Sequence, residues 1–228
     1  MRKWLLFVFL GAILQAVGQG EVTSDSNDNR YYEDQFYFGL TYNFLRNKPD
    51  VVTQRNLSYG LQLGIIKDIP LNATGTMALG IGLGLGLNTY YSNLIATETA
   101  DGISYSLGDN ILGFKRSKLE THLVEFPLEF RWRNSTLEEY RFWRLYAGVK
   151  AAYVLGARST SVIEGKKSGF YNTDVGRFQY GLTLNMGYNT FNLHMYYALS
   201  ELFRDNAVIE SQALGFSPLQ IGVIFYIL

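Results

Sequence analysis

The chain has 228 residues, with 20 Lys+Arg against 20 Asp+Glu and no cysteine. That length points to one domain, and the charge balance leaves no basic footprint for nucleic acid. The missing thiols exclude disulfides, thiolate metal sites, a cysteine nucleophile and a lipid anchor on an N-terminal cysteine. A mean hydropathy of −0.02 excludes a bundle of membrane helices, but not a membrane β-barrel, whose alternation averages hydropathy away.

The first residues read as an address. Arg2 and Lys3 precede an apolar run over 4–14, and Ala16 and Gly18 supply the small residues a signal peptidase reads. The run is far short of the roughly 20 residues a spanning helix needs. Residues 1–18 are therefore expected to be a cleavable signal peptide. Residues 19–34 are polar and Asn/Asp-rich, and are expected to form a flexible periplasmic leader. Asp25 to Asn29 is similar to the start of a calcium loop, but Arg30 stands where a glycine is required and Phe36 where a glutamate closes the loop. That reading is rejected, and no metal or cofactor is expected.

From Gln35 to Leu228 the hydrophobic period is two. Eight runs alternate, at roughly 35–46, 54–67, 74–92, 118–133, 140–157, 176–188, 190–200 and 215–228. One parity is large and apolar, as in Phe36, Phe38, Leu40, Tyr42 and Phe44, and none of its positions is charged. The other parity is small or polar, as in Ala78, Gly80, Gly82, Gly84, Gly86 and Asn88. An eight-stranded barrel has an interior just wide enough for its own side chains, so the large apolar set must face lipid. Long and short connections alternate, which assigns outer loops near 93–117, 158–175 and 201–214 and short periplasmic turns between them. The expectation is an all-β, eight-stranded antiparallel up-and-down transmembrane barrel over residues 35–228, in a bacterial outer membrane, with outer-membrane lipid as its first partner. Some runs exceed the roughly 9–11 residues a tilted strand needs, so they are expected to project beyond the outer leaflet.

The lumen-facing parity carries charge. Glu125, Glu129, Arg131, Arg144 and Lys150 are read as a buried ion-pair network, because unpaired charges there would be costly. A six-residue turn, Asn134 to Glu139, would set Glu129 beside Arg144 or Tyr146, and Glu125 beside Gly148 or Lys150. Pro127 donates no ladder hydrogen bond and is expected to mark a bulge or kink. A plug is one role for such a network and a selectivity gate in a narrow pore is the other.

No catalytic constellation emerges. Glu125 and Glu129 are four residues apart on one strand, roughly 13 Å, too far for an unaided carboxylate pair. His194 has lumen parity and is read as a hydrogen-bonded structural group, while His122 has lipid-facing parity with no serine nucleophile beside it. Gly80 to Gly86 alternates on a strand and opens no helix, so it cradles no phosphate. The protein is expected not to be an enzyme.

The segment His122-Leu123-Val124-Glu125-Phe126-Pro127-Leu128-Glu129-Phe130-Arg131-Trp132-Arg133, followed by Phe142-Trp143-Arg144-Leu145-Tyr146-Ala147-Gly148-Val149-Lys150, resembles the PorT-like outer-membrane β-barrels of Bacteroidota. The resemblance spans 35–228 and is sharpest over 118–157. It implies an eight-stranded barrel and an accessory or assembly role in type IX protein secretion or another envelope function, with other secretion or envelope proteins as partners. A narrow, passive, porin-like channel is the alternative, motivated by the glycines at lumen positions.

Overall fold

The computed structural model describes residues 34–72, 74–134, 143–188, 191–210 and 212–227. Its strands are β1 (Asp34–Arg46), β2 (Tyr59–Pro70), β3 (Met77–Ser92), β4 (Leu94–Thr99), β5 (Gly102–Leu107), β6 (Phe114–Arg133), β7 (Trp143–Ile163), β8 (Lys166–Tyr171), β9 (Phe178–Tyr188), β10 (Phe191–Ala198), β11 (Val208–Ile209), β12 (Gln212–Ala213) and β13 (Ser217–Ile227). Eight of them, β1, β2, β3, β6, β7, β9, β10 and β13, close into one antiparallel barrel in that order, sealed by the β1–β13 pairing. Closure leaves no unpaired strand edge in the wall, which is what lipid requires of a spanning sheet. The leader and signal-peptide assignments at 1–33 lie outside the described residues.

The period-two pattern becomes inside and outside. Along β6 every odd residue from Ser117 to Arg133 is buried, and the large residues between them, Phe126, Leu128, Phe130 and Trp132, are exposed. The outer wall is apolar and rimmed by aromatic pairs. At the turn end Trp143 packs on Tyr188 at 5.1 Å, and at the loop end Tyr153 meets Phe178 at 5.1 Å. Such girdles sit where membrane meets water.

Three local expectations are corrected. Glu129 lies opposite Gly148, and Glu125 opposite Ala152, so the β6–β7 register differs from the sequence estimate by two to four residues. The reason is the turn: Asn134 N–H donates to Trp143 O, and Trp143 N–H to Asn134 Oδ1, so the connection closes at 143 and not at 140. Pro127 causes no register shift. Its pairing with Lys150 is regular, and β3 resumes the same register after the lapse opposite 126–127. Gly82 across from it leaves room for the ring: a Cβ there would sit 2.8 Å from Pro127 Cγ. The irregularities fall instead between His122 and Leu123, where Leu155 is the extra residue on β7, and between Phe114 and Arg116.

The third correction concerns the loops. β6 begins at Phe114 and β7 runs on to Ile163, then turns back as β8, so much of 93–117 and 158–175 is strand. The apolar signal stops near the membrane boundary, but backbone pairing does not need it. The β6–β7–β8 ridge thus stands beyond the lipid belt.

Candidate functional site

The lumen is the most heavily constructed part of the molecule, and it is layered along the barrel axis. At the turn end, Arg131 is fully buried. Its Nη1 donates to Asp68 at 2.6 Å and to Gln35 Oε1 at 3.0 Å, and its Nε donates to Glu129 at 3.0 Å. The guanidinium also lies over Tyr146 at 4.3 Å and Tyr226 at 4.9 Å. Planar stacking and a rigid donor fork make arginine the suitable cation here. Arg133 reaches Asp68 at 3.3 Å and donates to Gly75 O at 2.9 Å.

One step further in, Lys150 pairs with Glu125 at 3.0 Å, donates to Gln62 at 3.1 Å and lies over the Tyr196 ring at 4.6 Å. Asn185 donates to Glu129 at 2.9 Å while its Oδ1 lies against His194 Nδ1. Glycines on β3 create the space. A Cβ on Gly80 would stand 2.9 Å from Arg131 Cδ, and one on Gly86 would stand 2.7 Å from Glu125 Oε1.

Glu125, Glu129, Arg131 and Lys150 are therefore all buried in the lumen, Glu129 with Arg131 and Glu125 with Lys150, whereas Arg144 stands at the turn-end rim, half-buried and opposite Arg133. Two charged members lay outside the sequence reading of the site, Asp68 and Arg133. Asp68 has the lumen parity of Gln62, Gly64 and Ile66, but the second apolar run ends at Lys67, one residue before it. Arg133 had the right parity, and only its partner was missing. Between the two ion pairs lies a small pocket with room for about one water molecule, lined by Tyr37, Gln62, Glu129, Lys150, Thr183 and His194.

Above the ions lies a neutral layer. Thr41 donates to Asn43 at 2.9 Å, while Asn43 and Gln220 both donate to Asn88 Oδ1, at 3.3 and 3.1 Å. Above that, the loops fold inward. Leu45, Val52, Tyr90, Leu94, Leu119, Leu123 and Val154 form an apolar core with Val175, Leu202, Phe203, Leu214 and Phe216. The last five come from the connections β8–β9 and β10–β13. Phe203 packs edge-on against Phe216 at 5.4 Å and Tyr105 at 5.7 Å. Asp174 pins these loops: it accepts from Tyr105 Oη at 3.0 Å and Asn206 Nδ2 at 2.8 Å, and its backbone carbonyl accepts Arg204 N–H. Burial pushes the Tyr105 phenol up from its ordinary value, the Asn172 hydrogen bond opposes this, and the Asp174 carboxylate adds to it. His122 is exposed on the outer wall near the loop end, opposite Gly156.

A closed eight-stranded wall, apolar outside and polar-filled inside at the turn end, defines a transmembrane β-barrel of the outer-membrane type. The family model of the outer membrane protein beta-barrel domain matches residues 19–204, and the chain belongs to that family. No curated protein matches the chain. Among solved structures it is similar to two mutants of the porin of Rh. blastica and to a structure described as asymmetric conductivity of engineered proteins. In each case the identity is 10%, the alignment covers 86% of this chain and 100% of that one, and the TM-score is 0.16.

Proposed function

We propose that this outer-membrane barrel is neither a pore nor an enzyme, but an accessory or assembly component in protein secretion, of the PorT-like kind that serves type IX export, or in another envelope function. The observation that carries the reading is the filled lumen: paired charges at the turn end, amides in the middle and an apolar core under the loops. A barrel so filled offers its surroundings only its rims, its loops and its lipid face. Partner secretion or envelope proteins would engage those surfaces, after export directed by the signal peptide at 1–18. The resemblance of 118–157 to the PorT-like barrels of Bacteroidota supports the secretion role.

The test is a clean deletion, with secreted proteins compared by mass spectrometry. Loss of type IX cargo from the medium, with its accumulation in the periplasm, is the expected result, and unchanged secretion sinks the role. A narrow passive channel is the alternative. Its motive is the glycine row of β3, whose space is occupied by Arg131, Pro127 and Glu125 of β6 and by Tyr37 of β1. Planar-bilayer recordings separate the two: Glu129→Gln is expected to destabilise the barrel without opening a current, and stable, ion-selective steps would favour the channel.

A further inference from the structure

We propose that the outward face of the β6–β7–β8 ridge binds the phosphate groups of outer-leaflet lipid headgroups. Register places four rows on this face. Arg116 is followed by Val162 and Lys167, Lys118 by Thr160 and Gly169, Glu120 by Arg158 and Tyr171, and His122 is beside Gly156. Rows lie roughly 7 Å apart along the strands and neighbouring strands about 4.8 Å apart, so Arg116, Lys118, Arg158 and Lys167 share one patch about 14 Å long and about 10 Å wide. Glu120 is an acid on this face and pairs with Lys118 at 2.6 Å, and Glu164 stands at the ridge tip in the β7–β8 turn, its N–H donating to Gly113 O.

Glycine stands in the floor at Gly156 and Gly169. A Cβ on Gly169 would meet Thr160 Oγ1 at 2.9 Å and Arg158 Nε at 3.5 Å, and one on Gly156 would meet the Tyr171 ring at 3.9 Å. The Arg158 and Tyr171 side chains therefore lie over glycine positions of the strand beside their own. Arg116, Arg158, Lys167 and Tyr171 are all exposed.

Two arguments select lipid phosphate as the occupant. The patch is the direct continuation of the lipid-facing wall: the parity that presents Phe126 and Val124 to the hydrocarbon presents His122, Lys118 and Arg116 above it. Cations there stand at headgroup height, beside the membrane and not above the lumen. Charge at the loop end is also segregated. Glu98, Asp101 and Asp109 gather on and after the β4–β5 hairpin, and Glu201, Asp205 and Glu210 in the connection after β10, whereas the ridge is cationic. Guanidinium and ammonium groups of this spacing suit phosphate oxygens.

The full-length mature barrel, purified in nonionic detergent, would be titrated with diphosphoryl lipid A and bound lipid read by native mass spectrometry. Combined substitution of Arg116→Gln, Lys118→Gln, Arg158→Gln and Lys167→Gln is expected to lower bound lipid A about tenfold or more, with thermal unfolding unchanged. Arg158→Lys alone is expected to retain binding. If the fourfold variant fails to fold, Arg158→Gln with Lys167→Gln, both exposed, is expected to lower binding about threefold. Wild-type binding by whichever variant folds overturns the proposal. So does equal binding of phosphatidylcholine, full displacement by inorganic phosphate at equal concentration, or displacement by polyglutamate at equal charge, which would mark the face as a dock for acidic protein.

Discussion

The two ends of the lumen are filled by opposite chemistry. At the turn end, the strands themselves supply the filling, and it is ionic: Asp68, Glu125, Glu129, Arg131, Arg133 and Lys150. At the loop end the filling is apolar, and much of it is carried in by loops, as Leu202, Phe203, Leu214 and Phe216. The difference follows from what each end can draw on. Short turns have no chain to spare, so the turn end must close with side chains rooted in a lipid-facing wall, and long polar ones reach across. The loop end has connections long enough to fold back and bury apolar surface. The ionic end is thus part of the barrel, whereas the apolar end is a cap set upon it. The two ends are expected to fail differently.

Replacing Arg131 with Met gives the largest expected effect. It leaves Asp68 and Glu129 as uncompensated buried charges, and breaking such a cluster from one side costs about 3–5 kcal/mol. Because these residues tie β2 to β6, the loss is expected to be global, seen as a lower urea midpoint for the heat-modifiable folded band. Leu202→Ala removes a fully buried side chain from the cap and is expected to cost about 2–4 kcal/mol. Here the loss is expected to be local: proteolysis of the connections at 172–177 and 199–216 speeds up while the barrel band keeps its midpoint. Equal global loss from both substitutions would erase the distinction between wall and cap.

The same distinction explains how much was legible in the sequence. The wall was, because lipid outside and a crowded lumen inside impose parity on every residue, so Phe126 and Glu125 announce opposite faces. Glu125, Glu129, Arg131 and Lys150 could be chosen by parity alone, and Lys150 was one of two neighbours offered for Glu125, with which it pairs; the partners of Glu129 and Arg131 could not be chosen. Pairing depends on register, register depends on the turn, and a turn that closes at Trp143 moved Glu129 from Arg144 or Tyr146 to Gly148. Asp68 lay one residue past a run that Lys67 appeared to end. The cap had no parity to read. Leu202, Phe203, Leu214 and Phe216 sit among polar loop residues, and only the three-dimensional return of the chain makes them a core.

A smaller effect is expected at Gly80. Gly80→Ala places a methyl 2.9 Å from the Arg131 side chain, which must shift against its ring neighbours, and overpacking of this kind costs about 1–3 kcal/mol. The paired control is Gly156→Ala, whose added Cβ would come no nearer than 3.9 Å to a neighbour, the Tyr171 ring. A lowered urea midpoint for the first, and none for the second, is expected.

The cap carries its own pH signature. Folding raises the Tyr105 phenol above its ordinary value, so the folded cap prefers the neutral form. A raised folded value means the stabilisation is complete below the unfolded tyrosine range near pH 10 and fades as pH rises from there towards the folded value. Proteolysis of the connections is therefore expected to accelerate above about pH 10 in the wild type, and Tyr105→Phe is expected to flatten that rise.

The smallest effect is expected where both members of a pair are removed together. Glu125→Leu alone leaves Lys150 buried without its carboxylate, and Lys150→Leu alone leaves the converse, so each is expected to cost several kcal/mol. The double variant removes both desolvation costs and is expected to lie within about 1 kcal/mol of wild type. A double-mutant cycle in urea would read the coupling directly. If the double variant is as unstable as either single one, the pair contributes net stability and the turn-end cluster is a structural strut. If it is near wild type, the charges are kept for another reason. A lumen has many apolar ways to collapse, and a buried Glu125–Lys150 pair favours the one register between β6 and β7 that brings its two charges together.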